Sequence, residues 1–275
     1  MKIDSHQHFW HYNTADFGWI SDAMANIRRD FLPADLAPQL AARGIDGAVA
    51  VQARMTTEET RWLLELADQN SFIKGVVGWV PLAEKSAASE LDCFAAHPRL
   101  KGVRHVVQGQ PSGFLDAPAF NAGIREVTSR RLVYDILIFA NQLEEATHFV
   151  DRHPRQIFVL DHIAKPVVQG SPSAEWRQLI GELAKRPNVA CKFSGVVTEI
   201  PNFAPWTPEQ IRPYFEIVLE AFGPRRLMFG SDWPPCLVSS EYARWHETVD
   251  AFTAALSPAE CARVLGETAV EWYRL

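Results

Sequence analysis

No stretch of this chain approaches the roughly 18 to 20 consecutive apolar residues that a membrane span needs. The opening MKIDSHQHF reaches an acidic residue by position 4 and lacks the apolar core and cleavage signal of a secretory leader. The expectation is a cytoplasmic protein without a membrane partner. Cysteine is scarce. Cys93, Cys191, Cys236 and Cys261 are too few and too dispersed for a disulfide framework, and none forms a C-x-x-C pair; they read as buried or half-buried filler. A long basic stripe is missing too. At a formal charge of −6, with both signs scattered in short mixed groups, the chain offers little to a phosphate backbone. That argues against nucleic acid as the main partner and for a small molecule. No internal repeat of the solenoid kind is visible.

What is present is an ordinary globular composition, 47% apolar and 22% charged, in 275 residues. The length suits a (β/α)₈ unit, and one domain spanning 1–275 is the economical reading. Eight short apolar runs carry helical stretches between them: KIDSH from Lys2, GAVAV from Gly47, IKGVVGWV from Ile73, LKGVRHV from Leu100, RLVYDIL from Arg131, QIFVLDH from Gln156, NVACKFS from Asn188 and RLMFGSD from Arg226. Thr56–Asn70 has an acidic first turn and apolar Trp62, Leu63 and Leu66, as a helix covering a sheet should. Thr207–Phe222 opens with a Thr-Pro cap and stops at Gly223-Pro224. Two segments break the rhythm: the aromatic-rich 9–33 after the first strand and the Gly/Pro-rich 108–120 after the fourth. Both leave strand ends where a barrel builds its pocket, and both are expected to line it.

His6 and His8 are one residue apart, so a strand turns both to one face. Asp232 ends the last strand, which in a closed barrel lies beside the first. Asp161 and His162 end the sixth strand, with His162 expected in the site and Asp161 in support. Such a cluster can ligate one divalent ion or work without it by proton transfer. Catalytic roles are therefore expected for Asp232, His6, His8, His162 and Arg104, the last as the ligand of a substrate carbonyl, carboxylate or polyol oxygen. His6, His8 and Asp232 are the candidate ligands of at most one zinc or other divalent ion, with no cofactor required. Trp10, Trp79 and Trp233 offer flat walls for a sugar-like ring, and Arg54, Tyr134 and Lys192 offer polar contacts.

The D-S-H-Q-H-F opening, L-D-H-I-A-K-P, M-F-G-S-D-W-P and the closing helix around Arg263 to Ala269 resemble the amidohydrolase superfamily, in its branch of sugar-lactone and related lactone hydrolases. The similarity runs over essentially the whole chain. The resemblance implies a (β/α)₈ (TIM) barrel of the metal-dependent-hydrolase type, with Asp232 activating water. The fourth strand has no inward lysine at its C-terminal end, and LVYDILIF has no histidine, so a two-metal centre is not expected. The branch implies hydrolysis of a sugar 1,5- or 1,4-lactone, first an uncharged fucose-configured aldonolactone. The alternative is a carboxylated lactone such as 2-pyrone-4,6-dicarboxylate, for which Arg54, Arg104 and Lys192 would supply cations, or metal-dependent decarboxylation or hydration. The oligomeric state is left open.

Overall fold

The computed structural model describes residues 1–275. Eight parallel strands follow one another around a single sheet in chain order: β1 Ile3–Gln7, β2 Gly47–Val51, β3 Ile73–Gly78, β4 Leu100–Val106, β5 Val133–Leu137, β6 Phe158–Leu160, β7 Val189–Phe193 and β8 Leu227–Phe229. Helices α1 Pro33–Ala41, α2 Thr57–Gln69, α3 Ala87–Ala95, α4 Pro118–Ser129, α5 Leu143–Arg152, α6 Ala174–Ala184, α7 Pro208–Phe222 and α8 Tyr242–Thr253 make the crossovers and the outer layer, and α9 Pro258–Ala262 and α10 Thr268–Tyr273 follow. This is the expected (β/α)₈ barrel. No helix is long and apolar enough to cross a membrane.

Local chemistry fixes the helix starts. The Thr56 hydroxyl accepts the Glu59 N–H ahead of α2, and the Gln210 side chain accepts the Thr207 N–H ahead of α7, each meeting a donor that a helix end would leave unpaired. Gly223, at φ 67°, ends α7.

The strands are buried on both faces, so their sequences do not alternate. Side chains pointing into the barrel near the N-terminal strand ends form a small apolar cluster that includes Ile3, Val49, Val133, Val159 and Met228, closed by Tyr273 of α10. A much larger cluster fills the space between sheet and helices. Each such side chain contributes about 1.5–3 kcal/mol of burial free energy.

Closure between β8 and β1 is built from side chains as well as backbone. Ser5 Oγ donates to the Phe229 carbonyl (2.6 Å), while Asp4 accepts the Ser231 N–H (2.8 Å) and the Tyr242 hydroxyl (3.0 Å). Beyond β8, Asp232 N–H donates to the His6 carbonyl (2.8 Å) and His8 N–H to the Trp233 carbonyl (2.7 Å). The closing hydrogen bonds thus lie on the segments that carry His6, His8 and Asp232.

Strand β1 contains a bulge. Asp4 pairs with Ala48 but Gln7 with Ala50, so three steps on β1 match two on β2. This one-residue excess switches the inward face, so that Ile3 joins the apolar floor while His6 and His8 face the interior above it. Two strands end earlier than the sequence suggests. His162 (φ 52°) and Asp232 (φ 56°) leave the extended region, so β6 stops at Leu160 and β8 at Phe229.

Candidate active site

At the C-terminal strand ends lies a cavity of about 670 Å³ bordered by His8, Arg104, His162 and Asp232. His8 Nδ1 lies 2.8 Å from the Val51 carbonyl, which can only accept, so that nitrogen carries the proton and Nε2 presents a lone pair. This lone pair faces His6 Nε2 at 3.1 Å and Asp232 Oδ1 at 3.3 Å. His162 Nδ1 meets Ser194 Oγ at 2.9 Å, with its Nε2 3.9 Å from Asp232. Gly195, at φ 64°, runs so close beneath that a Cβ would stand 2.6 Å from the His162 ring and 2.9 Å from the Asp232 carboxylate.

Burial keeps the histidines neutral: it lowers His162 to about 4, and it lowers His6 and His8 from their ordinary value. Burial pushes Asp232 the other way, but a proton entering the cluster goes first to an imidazole, and the charge it would place on His162, His8 or His6 outweighs burial and holds the carboxyl well below its usual range. Asp232 is therefore an ionised acceptor at working pH.

Beneath lies a sealed ionic layer. Lys192 Nζ donates to Asp135 (2.6 Å) and lies 3.0 Å from Asp161 Oδ1. Arg104 Nη1 donates to Asp161 Oδ2 (3.0 Å), and its Nη2 donates to the Gln52 carbonyl. Tyr273 OH donates to both Asp135 oxygens at 2.7 and 2.8 Å. Burial raises the Asp135 carboxyl to about 6. Asp161 is likewise penalised by burial, but Lys192, His6 and Arg104 hold it well below the usual range.

His6 joins the layers. Its Nδ1 lies 3.1 Å from Lys192 Nζ and 3.3 Å from Asp161 Oδ1, and both of its tautomers have partners. Accepting from Lys192 leaves a proton on Nε2 to donate to His8. Donating to Asp161 leaves an Nε2 lone pair beside those of His8 and Asp232. In that second state three acceptor atoms stand 3.1, 3.3 and 3.7 Å apart. A tetrahedral zinc ion with its ordinary bond lengths separates its ligands by about 3.3 Å. His6, His8 and Asp232 therefore fit one divalent ion, and the lone pairs opposed across the gap call for a cation or a proton. The guanidinium of Arg104 stands 3.3 Å from His6 Nε2, on the strand that has no inward lysine at its C-terminal end.

The remaining expected contacts divide. Arg54 borders the cavity. Lys192 is sealed below it and fully buried. Tyr134 points outward from β5, packed against Phe120, Phe149 and Phe158, because its neighbour Asp135 takes the inward face. Trp79 also sits outside, its indole N–H donating to His105. Trp10 and Trp233 pack against Phe31 in the core of the first loop and do not border the cavity. The aromatic that reaches the mouth from segment 9–33 is Trp19, with Asp16 and Met24, whereas segment 108–120 contributes only Gln108 and buries Leu115 and Phe120. Lys165 and Glu199 also border the cavity and were not singled out from the sequence. For Lys165 the signal was available, in the Lys-Pro step that closes L-D-H-I-A-K-P.

The whole chain has counterparts among known proteins. The chain is 38% identical to an L-fucono-1,5-lactonase of Burkholderia multivorans, covering 100% of this chain and 96% of that one. It is 36% identical to the L-fucono-1,5-lactonase of Burkholderia ambifaria, again over 100% and 96%. A crystal structure of an amidohydrolase from B. multivorans with bound zinc superposes with a TM-score of 0.97 at 38% identity, covering 100% of this chain and 99% of that one. Because the amidohydrolase family model matches residues 3–275, nearly the whole barrel and every group described in the site, the chain belongs to the amidohydrolase family.

Proposed function

We propose that this enzyme hydrolyses an uncharged sugar lactone, with L-fucono-1,5-lactone as the first candidate. The full-length similarity to two L-fucono-1,5-lactonases supports the reaction class. The observation that carries the choice of an uncharged substrate is the charge pairing of the cavity wall. Arg54 lies 3.0 Å from Asp16, Lys165 3.4 Å from Glu199 and Arg104 3.0 Å from Asp161. Each cation already has its carboxylate, and Lys192, which a dicarboxylate would have needed, is shut beneath the floor. A dianion would have to break these pairs, whereas a polyol ring can hydrogen-bond to both members of the two that line the cavity, Arg54 with Asp16 and Lys165 with Glu199. Half-exposed Trp19 and Phe139 offer flat apolar surfaces for the ring's C–H face.

In this reading water attacks the ring carbonyl while Asp232 takes its proton. His162, which carries a proton on Nε2 when its Nδ1 accepts from Ser194, and the positive charge of Arg104 at the cavity border stabilise the tetrahedral oxyanion. The ring C–O bond then breaks, and Asp232 returns the proton to the departing oxygen, giving the hydroxy acid. His6 orients His8 from below and, with His8 and Asp232, would hold a divalent ion. When bound, such an ion would polarise the carbonyl or acidify water.

The test is turnover of L-fucono-, D-arabinono-, L-galactono- and L-rhamnono-lactones beside 2-pyrone-4,6-dicarboxylate, with metal content determined, then after chelation and after restoring a divalent ion. Preferred turnover of the fucose-configured ring is expected. Preference for the dicarboxylate, or no lactone turnover in any metal state, would overturn the reading.

A further inference from the structure

The segment after β6 is an outlier of the backbone. His162, Ile163, Ala164 and Lys165 have φ of 52°, 50°, 62° and 49°, so one left-handed turn is made of four residues, none of them glycine. L-residues avoid this region because Cβ crowds the carbonyl oxygen, at about 1–2 kcal/mol each. Pro166 contributes to the cause, since a following proline disfavours the right-handed helical region for Lys165. Three contacts hold the turn: Lys165 N–H donates to the His162 carbonyl (2.8 Å), Trp176 Nε1 donates to the Ile163 carbonyl (3.0 Å), and Ile163 and Ala164 are fully buried.

What the strain achieves is placement. His162 and Lys165 both border the cavity, one at each end of the turn. Glu199 arrives from the segment after β7, and the Val168 N–H donates to its carbonyl (3.0 Å), tying the two segments together. The ammonium and the carboxylate face each other at 3.4 Å with side chains only 18% and 17% exposed. Neither is saturated: Lys165 Nζ makes no hydrogen bond in the protein, and Glu199 receives one contact, from Thr198 Oγ1 at 3.3 Å on Oε1. Arg104, by contrast, already donates from both terminal nitrogens, to Asp161 and to Gln52, its Nε is buried, and Asp232 is surrounded by imidazoles. A charged donor and a charged acceptor about one hydrogen bond apart, both with spare valences, match a pair of adjacent hydroxyls, each of which donates once and accepts twice.

We propose that Lys165 and Glu199 form the clamp that reads adjacent ring hydroxyls of the lactone, making them specificity-determining residues. This rests on the sugar-lactone reading above. The experiment compares kcat and KM for L-fucono-1,5-lactone and for δ-valerolactone, which has the ester ring but no hydroxyls, in the wild-type enzyme and in Lys165→Met, Lys165→Arg and Glu199→Gln, with thermal unfolding as the folding control. Lys165→Met and Glu199→Gln are expected to raise KM for the sugar lactone about 10- to 100-fold with much smaller changes in kcat. The preference for the sugar over the plain ring should shrink by the same factor, and Lys165→Arg should restore part of it. An unchanged preference in folded variants would overturn the clamp while leaving lactone hydrolysis intact. A kcat that falls with KM unchanged would also overturn it, since that assigns the pair to the chemical step. A wild-type enzyme inert toward both rings would overturn the lactonase reading and the clamp with it.

Discussion

His8, His162 and Asp232 face a cavity, whereas His6, Asp161, Lys192 and Asp135, drawn from much the same residue types, lie one layer nearer the strand beginnings and face one another. The upper groups keep unused lone pairs and donors. The lower ones are mutually neutralised, with Tyr273 capping the set from below. Residue type therefore does not assign a role in this barrel; depth along the strand does. A histidine two residues from another can be a group in contact with substrate or the part that aims it.

Replacing a group from each layer should break different properties. In the upper layer, Asp232→Asn removes the proton acceptor while keeping its shape, and kcat/KM for the lactone should fall about 100- to 10,000-fold with thermal stability little altered. Near-normal turnover would remove Asp232 from the mechanism. In the lower layer, Lys192→Met leaves two buried carboxylates facing each other, and urea unfolding should record a loss of about 3–5 kcal/mol. The half-exposed Arg54–Asp16 pair at the mouth is the control: Arg54→Ala should cost under about 1 kcal/mol. Equal costs would mean that depth does not matter.

The third contrast is with pH. His162 takes its proton only near pH 4 in the folded enzyme, because burial disfavours the charged ring. Between about pH 4 and the unfolded value near 6.5 the unfolded chain binds more protons at this site. This contribution to stability is full above the unfolded value and is lost as pH falls toward 4, a change of about 3 kcal/mol. Asp232 stays ionised over the same window, so the kcat/KM profile should run level to about pH 5 and decline below it. An acid limb centred near pH 6.5 would show His162 titrating as if exposed.

The eight strands were legible because each βα step carries its own apolar run, and the His6, His8 and Asp232 cluster because β1 and β8 must meet in a closed barrel. The inward face of each strand was not legible. Tyr134 and Asp135 sit in a strand that is apolar on both sides, so no alternation tells which points inward, and an aromatic looked as suited to the pocket as to the helix layer that holds it. The bulge in β1 was equally hidden, since it exists only in the register against β2. Trp10 and Trp233 misled in another way. A long loop needs its own core, and these rings supply it, leaving Trp19 to reach the cavity.

Tyr273 has a consequence for the order in which the protein can be made. Asp135 and Lys192 belong to β5 and β7, but the hydroxyl that completes their network comes from α10, synthesised after every strand. A nascent chain that has reached β7 already holds charged groups destined for the interior, without the ring that closes over them. Burying them early would be costly, so a chain still on the ribosome is expected to leave the lower barrel open to water until its last helix arrives.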